Sequence, residues 1–343
     1  MATMHDVARH AHVAVSTVSY ALSGNRPVSR ETAARIRRAM EELDYQPNAM
    51  ARGLASRSSH TLAMTFPSFD TAMGETVFEI IRGAQKGAAD EGYRLAVWPL
   101  EDDNAGDELV ALVRQGTVDG VLLVEVGVVD RRVEALSAAD LPFVMVGRTA
   151  DPTGLAHIDI DVERTVDDAV GELYRLGHRH IAFVGRPELQ EAAGYGPAVR
   201  GHEGYLRAAT SRHLTPLARA CEATPEAGRR LAHELWVGSQ APTGVVVMND
   251  LAALGLLAGL RDMGLEVPDD VSVVGAVSSP TLGAMTVPAL TTTHAPGEQI
   301  GRTAAAALIA ILGKQADPSD FHELVACSVV EGQSLGPAPS PVP

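Results

Sequence analysis

Side-chain hydroxyl groups cluster on one short predicted helix near the N-terminus. Within residues 15–23, Val18 and Leu22 are spaced four apart and share an apolar face. The hydroxyl residues on the other side are Ser16, Thr17, Ser19 and Tyr20. Hydroxyls can donate to or accept from base edges and can anchor to phosphates, so this face can contact nucleic acid. An ordinary helical hairpin with solvated hydroxyls is the alternative.

Motifs of the common enzyme classes are absent from the sequence. It contains no Walker loop, no G-x-G-x-x-G and no H-E-x-x-H. Cys221 and Cys327 are far apart and lie in no motif, which argues against a disulfide framework or a zinc site. The twelve histidines are scattered, and His178-Arg179-His180 precedes a predicted strand as a turn would. We therefore expect no enzyme activity, no cofactor and no metal.

Three short helices are predicted to position the hydroxyl face. The first covers residues 4–11 and the second 15–23; Ser29 can cap a third, whose apolar stripe runs from Ala33 through Ile36 to Leu43. Residues 48–56 can form about two further helical turns, which are marginal alone because a short helix does not offset its nucleation cost.

The charge distribution separates this N-terminal segment from the rest of the chain. Residues 1–60 contain eight arginines and five carboxylates, a net charge of +3, whereas the whole chain carries −15 and the remainder therefore −18. A basic N-terminal segment on an acidic chain fits a protein in which that segment alone contacts phosphates.

From residue 61 onward, short apolar strands alternate with helical stretches. The predicted strands are 61–66, 93–98, 118–125, 142–147, 156–160, 180–184, 243–248, 271–277 and 289–293. The predicted helices include 76–91, 163–176, 226–236, 250–263 and 297–312. This alternation predicts an α/β core of two doubly wound subdomains. No apolar run is long enough for a membrane span and no secretory signal begins the chain, so we expect a cytoplasmic protein.

Several spaced stretches together resemble the lactose-repressor (LacI/GalR) family of bacterial transcription regulators over residues 4–330. The strongest is Ser16-Thr17-Val18-Ser19-Tyr20 within residues 6–24, and it is followed in order by 43–48, 176–185, 249–255 and 267–275. The resemblance implies an all-α helix-turn-helix headpiece at 1–46 and a hinge at 47–60. It further implies a periplasmic-binding-protein-like core at 61–331, and we expect a disordered tail at 332–343.

The family resemblance also implies which residues contact DNA. A helix-turn-helix inserts its second helix into the major groove, where Val15 can touch a thymine methyl and the hydroxyls can reach base edges. The candidate DNA contacts are His5, Val15, Ser16, Thr17, Ser19, Tyr20, Asn48, Arg52 and Leu54. In the family the hinge leucine, here Leu54, wedges into the minor groove; the alternative is that it packs on its own core.

Two residues of the headpiece depart from the family pattern. His12 replaces the usual turn glycine, so it is expected to adopt a positive φ. Ala14 replaces the usual serine cap, at a cost of about 1 kcal/mol. Tyr20 stands where arginine is common, so the operator sequence is expected to differ.

The implied effector site lies in the cleft between the subdomains, at the carboxyl ends of strands. Its candidate residues are Arg148, Asp161, Asn249, Asp250, Trp98, Arg200 and Ser278. The alternatives are structural caps or salt bridges, with Asp250 capping a helix and Trp98 belonging to the core. The family's paired aspartates are replaced at Ser278 and Ser279, and Gly201 takes the place of its arginine. A sugar or sugar derivative therefore remains only the leading candidate for the effector.

We expect a transcriptional repressor that binds palindromic operator DNA as a homodimer and responds to a small molecule. Two rival interpretations remain open. A solute-binding protein for a transporter would use the core alone, and a regulator whose pocket has decayed would sense nothing.

Overall fold

A computed structural model describes residues 2–23, 26–45, 58–66, 74–100, 104–187, 194–237 and 241–340. Among the helices of these described residues, none is both long and apolar enough to cross a membrane.

The N-terminal unit contains three helices, α1 (Met4–His10), α2 (Val15–Ser23) and α3 (Arg30–Glu42), as predicted. Ser29 caps α3 by accepting a hydrogen bond from the backbone N–H of Thr32 at 3.2 Å. Val7, Val18 and Ile36, one from each helix, are buried together and form a small core. His12 turns the chain between α1 and α2 with φ of 53°, which confirms the positive φ expected there.

The first subdomain is built on a six-stranded, fully parallel sheet in the order β11-β5-β4-β3-β1-β2. Its strands are β1 (Thr61–Phe66), β2 (Arg94–Pro99), β3 (Gly120–Val124), β4 (Phe143–Val146), β5 (His157–Ile160) and β11 (His322–Val325). Its helices are α4 (Glu75–Asp90), α5 (Ala105–Arg114), α6 (Arg131–Ala138) and α12 (Gly297–Leu312). Apolar runs such as the fully buried β3 are typical of parallel strands covered on both faces.

The second subdomain is built on a sheet in the order β12-β10-β9-β8-β6-β7, in which only β12 is antiparallel to its neighbour. Its strands are β6 (Ile181–Gly185), β7 (Leu217–Ala220), β8 (Gly244–Val247), β9 (Ser272–Gly275), β10 (Thr291–His294) and β12 (Ser328–Val330). Its helices are α7 (Val162–Arg175), α8 (Gly196–Ser211), α9 (Pro225–Leu235), α10 (Asp250–Asp262) and α11 (Pro280–Met285).

The chain passes between the two subdomains three times. It leaves the first sheet after β5, returns from β10 into α12, and passes from β11 to β12. The late strands β11 and β12 complete the first and the second sheet respectively. Each subdomain is consequently assembled from separate stretches of the chain.

Helix α4 begins at the cleft and packs very closely against α12. A Cβ atom at Gly83 would lie 2.0 Å from the carbonyl oxygen of Glu298, and one at Gly301 would lie 2.0 Å from that of Ile80. No side chain fits in those positions, so glycine permits the contact of the two helices. The contact fixes α4, and with it the first residue of that helix, Glu75, against the subdomain.

The C-terminal segment 332–340 packs on the second sheet, so the prediction of a disordered tail is wrong for these residues. Ser334 is fully buried, accepts a hydrogen bond from the N–H of Thr291 at 2.8 Å and donates to the carbonyl of Val273 at 2.5 Å. The N–H of Ala338 donates to the carbonyl of Leu176 at 2.9 Å. These hydrogen bonds offset the poor apolar content that suggested disorder.

Candidate functional site

A cavity of about 250 Å³ lies where the carboxyl ends of the two sheets face each other. Its wall includes residues that directly follow strands in both subdomains, such as Glu125 after β3, Gly147 after β4 and Arg186 after β6. Ligands of open α/β sheets bind at this position, outside the carboxyl ends of the strands. The cavity is therefore the candidate effector site.

Asn249 and Asp250, both predicted from the sequence, line the cavity at the start of α10. The side-chain oxygen of Asn249 caps the helix by accepting from the N–H of Ala252 at 3.1 Å, and its amide donates to the carbonyl of Cys221 at 3.1 Å. The cap is thus Asn249, which leaves the carboxylate of Asp250 for other partners.

The carboxylates of Asp250 and Glu75 approach each other from opposite subdomains. Asp250 accepts hydrogen bonds from the hydroxyl of Ser278 and from the N–H of Ser279, the latter at 3.3 Å. Glu75 accepts from the hydroxyls of Ser279 and Thr281, the latter at 2.8 Å. Burial raises the pKa of Asp250, and the charge of Glu75 raises it further. The hydrogen bond from Ser279 lowers the pKa of Glu75.

Carboxylates outnumber cations on the described cavity wall. The lining carboxylates are Glu75, Glu125, Asp159 and Asp250, and the lining cation is Arg186. The guanidinium carbon of Arg186 lies 5.1 Å from the ring centroid of Tyr195, within cation–π range. The cavity therefore contains carboxylates even though Ser278 and Ser279 replace the family's paired aspartates.

Apolar side chains also line the cavity. A Cβ atom at Gly201 would lie 2.5 Å from the sulfur of Met248, which lines the cavity. Met248 thus occupies space beside the position where the family resemblance places an arginine. Leu251, Val277 and Leu282 extend the apolar surface.

Arg148 and Arg200 do not reach the cavity wall; they join the two subdomains beside it. Arg148 donates to Asp159 at 2.5 Å within the first subdomain and to both oxygens of Glu163, at 3.0 and 2.9 Å, in the second. Arg200, on α8, donates to the carbonyls of Arg148 at 2.6 Å and Thr149 at 3.1 Å. Burial lowers the pKa of Arg200 and raises that of Asp159.

The other predicted effector residues have local structural contacts. Asp161 caps α7 by accepting from the N–H of Arg164 at 3.2 Å. Trp98 donates its indole N–H to Glu108 at 3.0 Å and packs on the core of the first subdomain. Ser278 lies behind Asp250 and orients it.

The hydroxyl-bearing helix α2 exposes Ser16 and Tyr20, which are four residues apart. Val15, Thr17 and Ser19 are half-buried, and His5 on α1 is exposed. The guanidinium carbon of Arg26 lies 5.8 Å from the Tyr20 ring centroid. Ser16 and Tyr20 are therefore the predicted base contacts most accessible to a DNA groove. Asn48, Arg52 and Leu54 lie outside the described residues.

Asn249 and Asp250 are the predicted residues that line the cavity; its other charged and aromatic lining residues, Glu75, Glu125, Asp159, Arg186 and Tyr195, were not predicted from the sequence. Glu125 and Arg186 follow predicted strands directly, and that position was a usable signal. Glu75 begins a helix after β1, and nothing local indicates that it meets the second subdomain. Among the described residues no group of three or more histidine, cysteine or acidic side chains is arranged to hold a metal ion.

Comparison with family models gives two matches. Residues 3–48 match the model described as bacterial regulatory proteins, lacI family, and residues 170–335 match a periplasmic binding protein-like domain. The two modules lie in the order expected from the sequence.

Two curated relatives are similar over most of their length. Catabolite control protein A of Priestia megaterium is 31% identical over 94% of this chain and 96% of its own. The transcriptional repressor CytR of Escherichia coli (strain K12) is 31% identical over 88% of this chain and 87% of its own.

A solved structure, the lac repressor dimer bound to operator and the anti-inducer ONPF, superimposes with a TM-score of 0.83. It covers 97% of this chain and 98% of its own, at 24% identity, and it supports the fold.

Proposed function

Because the chain belongs to the lacI family of bacterial regulatory proteins, we propose that it represses transcription in the cytoplasm as an operator-bound homodimer switched by an effector in its cleft. The chain is a DNA-binding transcription regulator by family. The observation that supports an effector switch is the cavity between the two subdomains, which the chain connects by three crossings.

Operator recognition rests on α2 in this proposal. Ser16 and Tyr20 read base edges in the major groove, while the arginines of the head neutralise phosphates. Two heads related by a two-fold axis read the two halves of a palindrome. The hinge at 47–60 orders on DNA, and Leu54 from each protomer wedges into the central minor groove.

Effector coupling follows from a change in the angle between the subdomains. A ligand in the cavity contacts Glu75 in one subdomain and Asp250 in the other, so its affinity depends on their separation. That differential affinity supplies the coupling, typically about 1–3 kcal/mol. In the proposed dimer, the hinge segments connect the first subdomains to the heads and transmit the change to them.

The test is fluorescence-anisotropy binding to duplexes selected from a random-sequence pool, with a scrambled duplex as control and salt varied. We expect one palindrome to bind tightly with a steep salt dependence. Ser16→Ala and Tyr20→Ala should relax sequence preference, whereas Arg207→Ala, on an exposed part of α8, should not. Equal, weak binding to selected and scrambled duplexes would refute operator recognition.

A further inference from the structure

We propose that the effector of this cleft carries no negative charge and is a compact, hydroxyl-rich molecule whose donors bind both Glu75 and Asp250. The inference rests on the proposed function, since it concerns the ligand of the same cavity. It assigns a specificity role to Glu75, which spans the cleft opposite Asp250.

The first step is the charge on the cavity wall. Four carboxylates and one guanidinium line the described surface. Asp159 is ion-paired with Arg148, while the described hydrogen-bond partners of Asp250 and Glu75 are hydroxyls and an N–H group. His294 also lowers the pKa of Glu75, but its imidazole contacts the carboxylate of Glu79 at 3.3 Å. A phosphate placed between Asp250 and Glu75 would meet like charges at short range, which opposes binding strongly.

The second step is the hydrogen-bonding capacity of the two carboxylates. An ionised carboxylate has two oxygens and about four acceptor sites. Ser278 and Ser279 use part of this capacity on Asp250, and Ser279 and Thr281 use part of it on Glu75. The remaining lone pairs can accept only from donors, and ligand hydroxyls are donors.

The third step is the repulsion between the carboxylates themselves. The charge of Glu75 contributes to the raised pKa of Asp250, so the two groups interact across the cleft. A ligand that donates to both relieves this repulsion only when the subdomains are close together. The same contact that selects a donor-rich ligand therefore favours the closed cleft.

The shape of the cavity sets the remaining requirements. A volume of about 250 Å³ is at or below the small end of ligand sites, so the ligand is compact. Met248, Leu251 and Val277 form an apolar surface that suits the nonpolar face of a sugar ring or a nucleobase. Arg186 does not reverse the charge balance, since it is outnumbered and lies beside the Tyr195 ring.

The experiment uses matched pairs of probes that differ by one phosphate group. The pairs are adenosine and AMP, ribose and ribose 5-phosphate, and glucose and glucose 6-phosphate. Thermal shift on the full chain ranks the probes, because a ligand that binds the folded state raises the Tm. Titration calorimetry then gives each Kd. We expect at least one uncharged member to bind and its phosphate ester to bind at least about 100-fold more weakly.

Variants test the two carboxylates. Asp250→Asn and Glu75→Gln remove one charge each with little change in shape, and each should weaken the uncharged ligand about tenfold or more. Asp269→Asn is the control, since this exposed carboxylate lies near the amino end of β9, whereas the cavity lies at the carboxyl ends of the strands. Operator binding by each variant shows that it is folded.

The outcomes separate this inference from the proposed function. Tighter binding of a phosphate ester than of its uncharged partner overturns the inference and leaves the effector switch in place. Binding of uncharged ligand that both carboxylate variants retain at full strength also overturns it. If no probe binds while operator binding persists, the effector switch itself fails.

Discussion

Replacing Arg200 with methionine should weaken the connection between the two subdomains. Arg200 belongs to the second subdomain through α8, yet its guanidinium donates to the carbonyls of Arg148 and Thr149 in the first. Methionine has a similar length and no donor. The substitution therefore removes the two hydrogen bonds while largely filling the space.

The expected loss is about 3 kcal/mol in the free energy of unfolding. Each hydrogen bond from a charged donor contributes about 1.5–3 kcal/mol, and both acceptors lie where water has little access. Part of the loss is recovered, because Nη1 of the buried Arg200 has no hydrogen-bond partner in the described structure. The variant also removes one of the two cations near the buried carboxylate of Asp159.

The two tryptophans of the chain provide a separate probe for each subdomain. Trp98 lies on β2 of the first subdomain and Trp236 follows α9 of the second. In single-tryptophan proteins made with Trp98→Phe or Trp236→Phe, urea unfolding can be followed one subdomain at a time. We expect coincident midpoints with Arg200 present and separate midpoints in Arg200→Met, since coincidence reports cooperative unfolding.

The control is Arg207→Met, on an exposed position of the same helix. It should change the free energy of unfolding by less than about 0.5 kcal/mol. If Arg200→Met lowers stability by less than about 1 kcal/mol and the two tryptophans still unfold together, Arg200 does not tie the subdomains.

Three further predictions concern the head, a buried histidine and the C-terminal segment. Tyr20→Ala should cost about 1–3 kcal/mol of operator affinity and change base preference at one position of each half-site, as read by anisotropy. Burial lowers the pKa of His178, so stability should be full above the ordinary value of 6.5 and fall as the pH drops below it. Urea unfolding at several pH values should show that the free energy of unfolding declines less steeply with falling pH in His178→Gln than in the parent protein. Ser334→Ala removes the partners of Thr291 and Val273 and should lower stability by about 1–3 kcal/mol.

Each of these predictions has a result that would contradict it. If Tyr20→Ala leaves the sequence preference unchanged, Tyr20 does not take part in base recognition. A pH slope identical in His178→Gln and the parent would assign the loss to other groups, such as His157, whose pKa burial also lowers. If Ser334→Ala leaves the free energy of unfolding unchanged, the hydrogen bonds of Ser334 do not contribute to stability. Ser340→Ala, at an exposed position of the same segment, is the control.

Local patterns predicted most of the core elements. Helix α12 spans Gly297–Leu312, as predicted from its apolar periodicity, and the buried runs of β1 and β8 agree with their predicted strands to within a residue. Helices α5 and α8 were not predicted, although both carry glycines that pack against neighbouring elements. Glycine lowers helix propensity, and only the tertiary contact explains its use there.

The C-terminal segment shows where composition misleads. Its four prolines and few apolar residues suggested disorder, but Ser334 and Gly336 hydrogen bond with β9 and with the first residue of β10. These hydrogen-bond partners are distant in the chain, so no local sequence pattern predicts them.

The cavity was predicted in part. Asn249 and Asp250 follow a strand end, and that position carries through to the structure. Arg148 and Arg200 have the right chemistry for binding a ligand, but they donate instead to acceptors in the opposite subdomain. Glu75 depends on the docking of α4 against α12, which the sequence of either helix alone does not reveal.

The division of the first subdomain into distant stretches has a consequence for its synthesis. The strands β1, β3 and β4 emerge from the ribosome well before α12, whose Ala304 and Leu308 cover one apolar face of their sheet. At about 5–20 residues per second, translation of the intervening chain takes roughly 8–30 seconds. During that interval α4 is the covering helix of this core that has already been made, so Leu122, on the part of the face that α12 covers, is available to chaperones. A stop codon anywhere before residue 297 removes the covering helix and leaves both subdomains incomplete.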